Sequence, residues 1–265
     1  MATRTYAVTG SASGIGAATR TLLISQGHEV IGVDRRDAEV TVDLATVEGR
    51  DTMVAAIDDM TSGRLDGVVA CAGLSQRLAK PSSILRVNYF GALATLHGLR
   101  PLLAAGDRPR AVVVASTDLL RAEPASALVE TLLDGDEELA VSMVSEDDLG
   151  ARAYRASKRA IARWVRRVAP SPDWAGAGIA LNAIAPGLID TPMTADLLRE
   201  RRAEFEAAAA MPLCGVGAPA DFIASALCWL IGPDNGAITG QVIFADGGGE
   251  TLRRGDDIWA ALPGS

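Results

Sequence analysis

Aromatic side chains make up only 4% of the 265 residues, and two histidines, His28 and His97, are too few for a histidine-rich metal site. Both read as structural or solvated. Cysteine is equally sparse: Cys71, Cys214 and Cys228 are widely spaced and odd in number, so they suggest neither a disulfide framework nor a zinc cluster. Buried free thiols are the reading. No apolar run approaches the roughly 20 residues that a membrane span requires, and the N-terminus runs into a strand without an apolar export core. Positive charge is short as well. A formal net charge of -8 with no basic tail argues against nucleic acid, because phosphate binding rewards a basic surface. What these shortages leave is a cytoplasmic enzyme with a small-molecule partner, no metal and no membrane.

Apolar residues, by contrast, are plentiful at 49%, enough for a large core in one α/β domain spanning 1–265. Strand patterns fall at 5–9, 29–33, 40–42, 66–70, 111–115, 179–184 and 241–244. Helical patterns at 17–26, 46–60, 84–103 and 219–231 alternate with them. The expectation is a single Rossmann-type, doubly wound domain with a seven-stranded parallel sheet. Two stretches break the alternation: an insert at 117–150 and an alanine-rich helical flap at 193–212. Within the insert an apolar helix is expected around 125–133, and 134–148 carries seven acids and no base. The helix that follows is rich in arginine, so the acidic segment either docks on it or on a partner's copy, or both faces are solvated.

The first strand runs into Gly10-Ser11-Ala12-Ser13-Gly14-Ile15-Gly16 and then a helix. Strand, glycine loop and helix N-terminus together let the backbone approach a pyrophosphate, whose charge the free N–H groups and the dipole meet. A glycine turn without a ligand is the bland alternative. Asp34 ends the second strand 18 residues past Gly16, near the position of the acid that hydrogen-bonds an adenosine ribose. A carboxylate there favours NAD and repels the 2′-phosphate of NADP, although Arg35 and Arg36 beside it are suited to that phosphate.

Tyr154 is one of three tyrosines and the only one with a lysine, Lys158, four residues on. On a helix the two share a face, and a nearby ammonium stabilises a phenolate and draws its pKa down from about 10. Such a pair can exchange protons, though by itself it also fits a solvated helix face. Ser116 follows the fifth strand at the carboxyl end, where open parallel sheets bind their ligands.

Taken together these stretches resemble the short-chain dehydrogenase/reductase family over nearly the whole chain. The resemblance implies a catalytic set of Asn88, Ser116, Tyr154 and Lys158. It implies cofactor contacts from the 9–16 loop, from Asp43-Leu44 at the adenine, from Ala72-Gly73 in a variant of the family's N-A-G turn, and from Tyr154 and Lys158. Pro186, Gly187, Ile189 and Thr191 match the stretch that holds the nicotinamide carboxamide. A closer likeness at 27–49, 87–92 and 182–192, with the long insert, points to a branch acting on 3α-hydroxysteroids and xenobiotic carbonyls. A terpene or aromatic alcohol is the alternative substrate. The family also implies self-association as a homodimer or homotetramer, with the insert lying near helices used for such contacts. The rival outside enzymology is an idle dinucleotide sensor, whose mark would be loss of Tyr154, Lys158 or Ser116. All three are present.

Overall fold

The computed structural model describes residues 2–77, 79–123, 126–145, 150–207 and 211–258. Strand β1 (Thr5–Thr9) leads into helix α1 (Gly14–Ser25), and β2 (Glu29–Asp34) and β3 (Val40–Thr41) precede α2 (Val47–Thr61). β4 (Gly67–Ala70) is followed by α3 (Pro81–Leu85), a π-helical turn (Arg86–Gly91), α4 (Ala92–Ala104) and β5 (Arg110–Val114). The insert contributes a 3₁₀ turn (Thr117–Arg121), α5 (Ala127–Asp134) and α6 (Glu137–Ser142) before α7 (Ala151–Val168). Beyond it come β6 (Ala180–Pro186), β7 (Ile189–Asp190), α8 (Ala195–Ala207), β8 (Ala218–Pro219), α9 (Ala220–Ile231), β9 (Val242–Ala245) and α10 (Gly249–Arg254).

Seven strands form one parallel sheet in the order β3-β2-β1-β4-β5-β6-β9, as expected. Helices cover both faces, so β4 and β5 are buried at every position and read as continuous apolar runs rather than alternating ones. Successive side chains still divide between two cores. Ala7, Val68, Ala111 and Val113 pack with residues of α2, α4 and α7, while Tyr6, Val8, Val69 and Val112 pack with residues of α1 and α9. Helix α7 presents Ala153, Ala156, Ala160, Ile161, Trp164 and Val165 to the first core at helical spacing, which leaves most of its arginines on the outer side. Trp164 meets the buried Trp174 edge to face at 6.1 Å, and His97 packs on Trp164 at 5.1 Å.

Three differences from expectation bear on the site. The 84–103 helix is longer and interrupted, with the π turn falling on Asn88; such turns often sit at functional sites. Ile189–Asp190 and Ala218–Pro219 form a small second parallel sheet, too short to leave a periodic signal. Of the acidic segment, Glu137 pairs with Arg50 and Arg86 rather than with α7, Arg152 of α7 donates to the Met143 carbonyl at 3.2 Å, and Glu146, Asp147 and Asp148 lie outside the described residues. Among the described acids of the insert, Glu130 of the apolar helix meets α7, pairing with Arg163 and Arg167. Residues 146–149 of the insert and 208–210 of the flap lie outside the described residues.

A Cβ on Gly16 would lie 2.1 Å from the Gly10 carbonyl oxygen, so the glycine loop can fold back on α1 only if this position is bare. Gly16→Ala is expected to lower the unfolding free energy by at least about 2 kcal/mol, read by urea denaturation.

Candidate active site

The chain leaves β1 for β2 on one side and returns for β4 on the other, so the sheet's switch point lies between β1 and β4. A cleft of about 540 Å³ opens there, along the carboxyl ends of the strands. The turn after β1 is built by backbone bonds: Gly10 N–H donates to the Val33 carbonyl at 2.8 Å, and Thr9 Oγ1 accepts from the N–H groups of Cys71 and Ala72, each at 3.1 Å. The turns after β1 and β4 are thereby tied together. Gly10 has φ +72°, and a side chain there would strike the Ala72 backbone at 2.9 Å. Close approach of the two turns therefore requires glycine.

Helix α1 begins without a capping side chain and without an acid in its first turn. Its first N–H groups have no partners within the helix, so the partial positive charge of the terminus is left for an anion in the cleft. Asp34, at the end of β2, accepts from Ala12 N–H at 3.1 Å and from Arg35 N–H at 2.7 Å, which fixes the carboxylate at the cleft wall. Arg35 and Arg36 line the same end. Asp43 accepts from Ala45 N–H at 2.9 Å and holds the bend that brings Leu44 to the cleft. Bare helix N-terminus, fixed ribose-distance acid and glycine-lined floor fit a dinucleotide.

At the other end stand Ser116, Tyr154 and Lys158. Ser116 caps the 3₁₀ turn, its Oγ accepting from Asp118 N–H at 3.2 Å. Lys158 is only 5% exposed, donates to the Val114 carbonyl at 2.7 Å, and has its Nζ 5.8 Å from the centre of the Tyr154 ring. Burial pushes the lysine down to about 8, against a pull from Cys71. Burial likewise pushes the Tyr154 phenol up to about 12, opposed by the Ser116 hydroxyl beside it and reinforced by Asp118. The direction is opposite to the one expected from Lys158, which is not among its causes: burial is the largest, and the Lys158 ammonium donates to the Val114 carbonyl.

Of the residues marked from sequence, Gly10, Ser13, Gly14, Ile15, Gly16, Asp34, Asp43, Leu44, Ala72, Gly73, Ser116, Tyr154, Lys158, Pro186, Gly187, Ile189 and Thr191 all line this one cleft. Asn88 is the exception. Its buried amide accepts from Leu74 N–H at 2.7 Å and donates to the Leu74 carbonyl at 3.1 Å, a two-way clamp that shapes the turn after β4 from behind. Cleft residues not marked include Leu74, Val87, Met193 and Thr194. Their apolar or small side chains carry no chemical signature; for Leu74, Met193 and Thr194 only their places soon after strand ends could have marked them, and for Val87 only its place beside Asn88. Cys71 also lines the cleft, but burial pushes its thiol up to about 12 and leaves it inert as a nucleophile.

Sheet and cleft together are those of the dinucleotide-binding α/β oxidoreductases. Residues 4–127 match the family model for short chain dehydrogenases, and 139–250 the one described as enoyl-(acyl carrier protein) reductase. A 3-alpha-hydroxysteroid dehydrogenase/carbonyl reductase of Comamonas testosteroni is 36% identical over 93% of this chain and 96% of its own length. The crystal structure of the 3-alpha-hydroxysteroid dehydrogenase from Pseudomonas sp. B-0831 complexed with NADH superposes with a TM-score of 0.88 at 39% identity, covering 96% of this chain and all of that one. A coniferyl-alcohol dehydrogenase of Pseudomonas sp. HR199 is 29% identical over 91% of this chain and 94% of its own length. The chain belongs to the short-chain dehydrogenase/reductase family, and it is an oxidoreductase served by a nicotinamide dinucleotide.

A lysine whose folded pKa is depressed to about 8 destabilises the fold most where it is charged, and that cost fades as pH rises toward the unfolded value of about 10.5. Relative to Lys158→Met, the wild type should gain about 3 kcal/mol of stability between pH 7.5 and 10.5. Paired urea titrations at the two pH values read the difference.

Proposed function

We propose that the chain interconverts a secondary alcohol and a ketone with NAD as its cofactor, and that the substrate is a 3α-hydroxysteroid or a xenobiotic carbonyl compound. The observation that carries the reading is the convergence of Ser116, Tyr154 and Lys158 at one end of a cleft whose other end is set for a dinucleotide. We take residues 1–265 as a single nucleotide-binding domain. The names of the relatives from Comamonas and Pseudomonas sp. B-0831 support the substrate class.

In this reading the Ser116 hydroxyl donates a hydrogen bond to the substrate oxygen and stabilises the charge that develops there. Tyr154 donates the proton in ketone reduction and receives it in alcohol oxidation. Lys158, anchored to Val114, adds a fixed positive charge at this end of the cleft and stabilises the phenolate formed when the proton leaves. The bound dinucleotide supplies the hydride acceptor or donor. Asn88 acts through Leu74, keeping the turn after β4 in place beside Gly73 and Lys158. Asp34 accepts from the adenosine ribose hydroxyls and sets the preference for NAD, with Arg35 and Arg36 close enough to the same end to soften it.

A second substrate reading, an aromatic alcohol, is supported by the coniferyl-alcohol dehydrogenase among the relatives. NADH oxidation against a panel of 3-ketosteroids and aryl ketones discriminates the two; activity on aryl ketones alone would remove the steroid assignment.

Tyr154→Phe should reduce turnover by at least about a thousandfold while NADH binds within about threefold of wild type, since the ring remains and only the hydroxyl that carries the proton is lost. Near-normal turnover in that variant would sink the mechanism. Asp34→Asn should move the NADH-to-NADPH affinity ratio at least about tenfold toward NADPH, by fluorescence titration, because a repelling charge is removed and the arginines stay.

A further inference from the structure

Arg50 is the most heavily engaged cation near the cleft, although it does not reach the cleft floor. It projects from α2, is 7% exposed, and donates through Nε to the Leu44 carbonyl at 2.8 Å. Its Nη2 reaches the carbonyls of Arg86 at 3.2 Å and Ala45 at 3.4 Å. The guanidinium lies over the Phe90 ring at 5.9 Å. Leu44 and Val87, the residue after Arg86, both line the cleft. One planar fork thus holds the backbones of two separate segments, the bend after β3 and the start of the π turn, at a fixed separation.

The counter-charge comes from the insert. Glu137, the first residue of α6, accepts from Arg50 Nη1 at 2.6 Å and from Nη2 at 2.9 Å, and lies 3.5 Å from Arg86 Nε. A bidentate carboxylate is what keeps a buried guanidinium in place; removal of one partner leaves an uncompensated buried charge that is drawn toward water. The carbonyls of Leu44 and Arg86 would follow or lose their donor.

We propose that Glu137 is a positioning residue for the adenosine end of the cofactor site, acting through Arg50 on the walls formed by Leu44 and Val87. This role rests on the reading of the cleft as a dinucleotide site with its adenosine at the Asp34–Leu44 end. It gives the long insert a task at the cofactor site: it supplies the charge that sets dinucleotide affinity through α2.

The test is binding of NADH and of its two halves, AMP and nicotinamide mononucleotide, to wild type, Glu137→Gln and Glu137→Asp. Glu137→Gln should weaken NADH and AMP by about tenfold each. Nicotinamide mononucleotide binding and kcat at saturating NADH should stay within about twofold of wild type, and Glu137→Asp should recover part of the AMP affinity. The double variant Arg50→Met/Glu137→Met leaves no orphan charge, so it is expected to fold and still show the AMP-side loss. Unchanged AMP affinity in both folded variants overturns the proposal, as does an equal loss for nicotinamide mononucleotide. A wild type that binds neither NADH nor AMP would overturn the cofactor reading itself, and this role with it.

Discussion

The contact on which the site depends is the hydrogen bond from the Lys158 ammonium to the Val114 carbonyl, 2.7 Å long and inside the protein. An ammonium costs several kcal/mol to bury, and a single carbonyl returns only part of that. The arrangement persists because α7 is otherwise held hard against the first core by Ala156, Ala160, Ile161 and Trp164. Packing thus carries a charge that packing alone would reject. The return is geometric: Val114 ends β5, and Ser116 follows two residues on. Tethering Lys158 to that strand end fixes the phenol one helical turn earlier beside the hydroxyl, so two elements distant in sequence deliver three functional groups to one place.

The same economy organises the cofactor end. Thr9, a buried polar residue at the last position of β1, spends its hydroxyl on the Cys71 and Ala72 amides, and Asn88 spends its amide on Leu74. Neither side chain faces the cleft as a ligand would; each holds a turn whose backbone does. A cleft that must admit a pyrophosphate cannot be walled by bulky side chains, so its precision comes from bare backbone fixed from behind.

Most of this was legible in the sequence because the relevant signals are local. The 9–16 loop, Asp34 at a strand end and the Tyr154–Lys158 spacing each follow from a few neighbouring residues and the period of one element. The seven-stranded parallel sheet followed from the alternation of elements, and it is the main sheet of the fold. What escaped was set by distant contacts. The direction of the Tyr154 shift depends on how deeply the ring is enclosed, which no spacing reveals. Asn88 is outside the cleft lining, and the bonds of its amide to Leu74 are contacts no spacing reveals. For the acids at 134–148 the sequence leaves docking and solvation open, and it gives no sign that Glu137 finds Arg50 across the fold. Charge complementarity along a chain is a poor guide when burial, not proximity in sequence, decides which ion pairs matter.

At the flap the balance differs. Arg77, after β4, meets Glu200 of the flap helix α8 at 2.7 Å, with side chains 43% and 48% exposed. A pair so open to water contributes at most about 1 kcal/mol, so it can orient the flap without locking it. α8 is kinked at Arg201, the next residue, and anchors itself mainly through the buried Leu198. The turns at the cofactor end are therefore tied by buried side chains such as Thr9 and Asn88, and the flap by the exposed Arg77–Glu200 pair, a bond from Arg202 to the Val216 carbonyl at 3.0 Å and the buried Leu198. That division leaves the flap, whose Met193 and Thr194 line the cleft, the less firmly held wall, and the tied turns after β1 and β4 the fixed one.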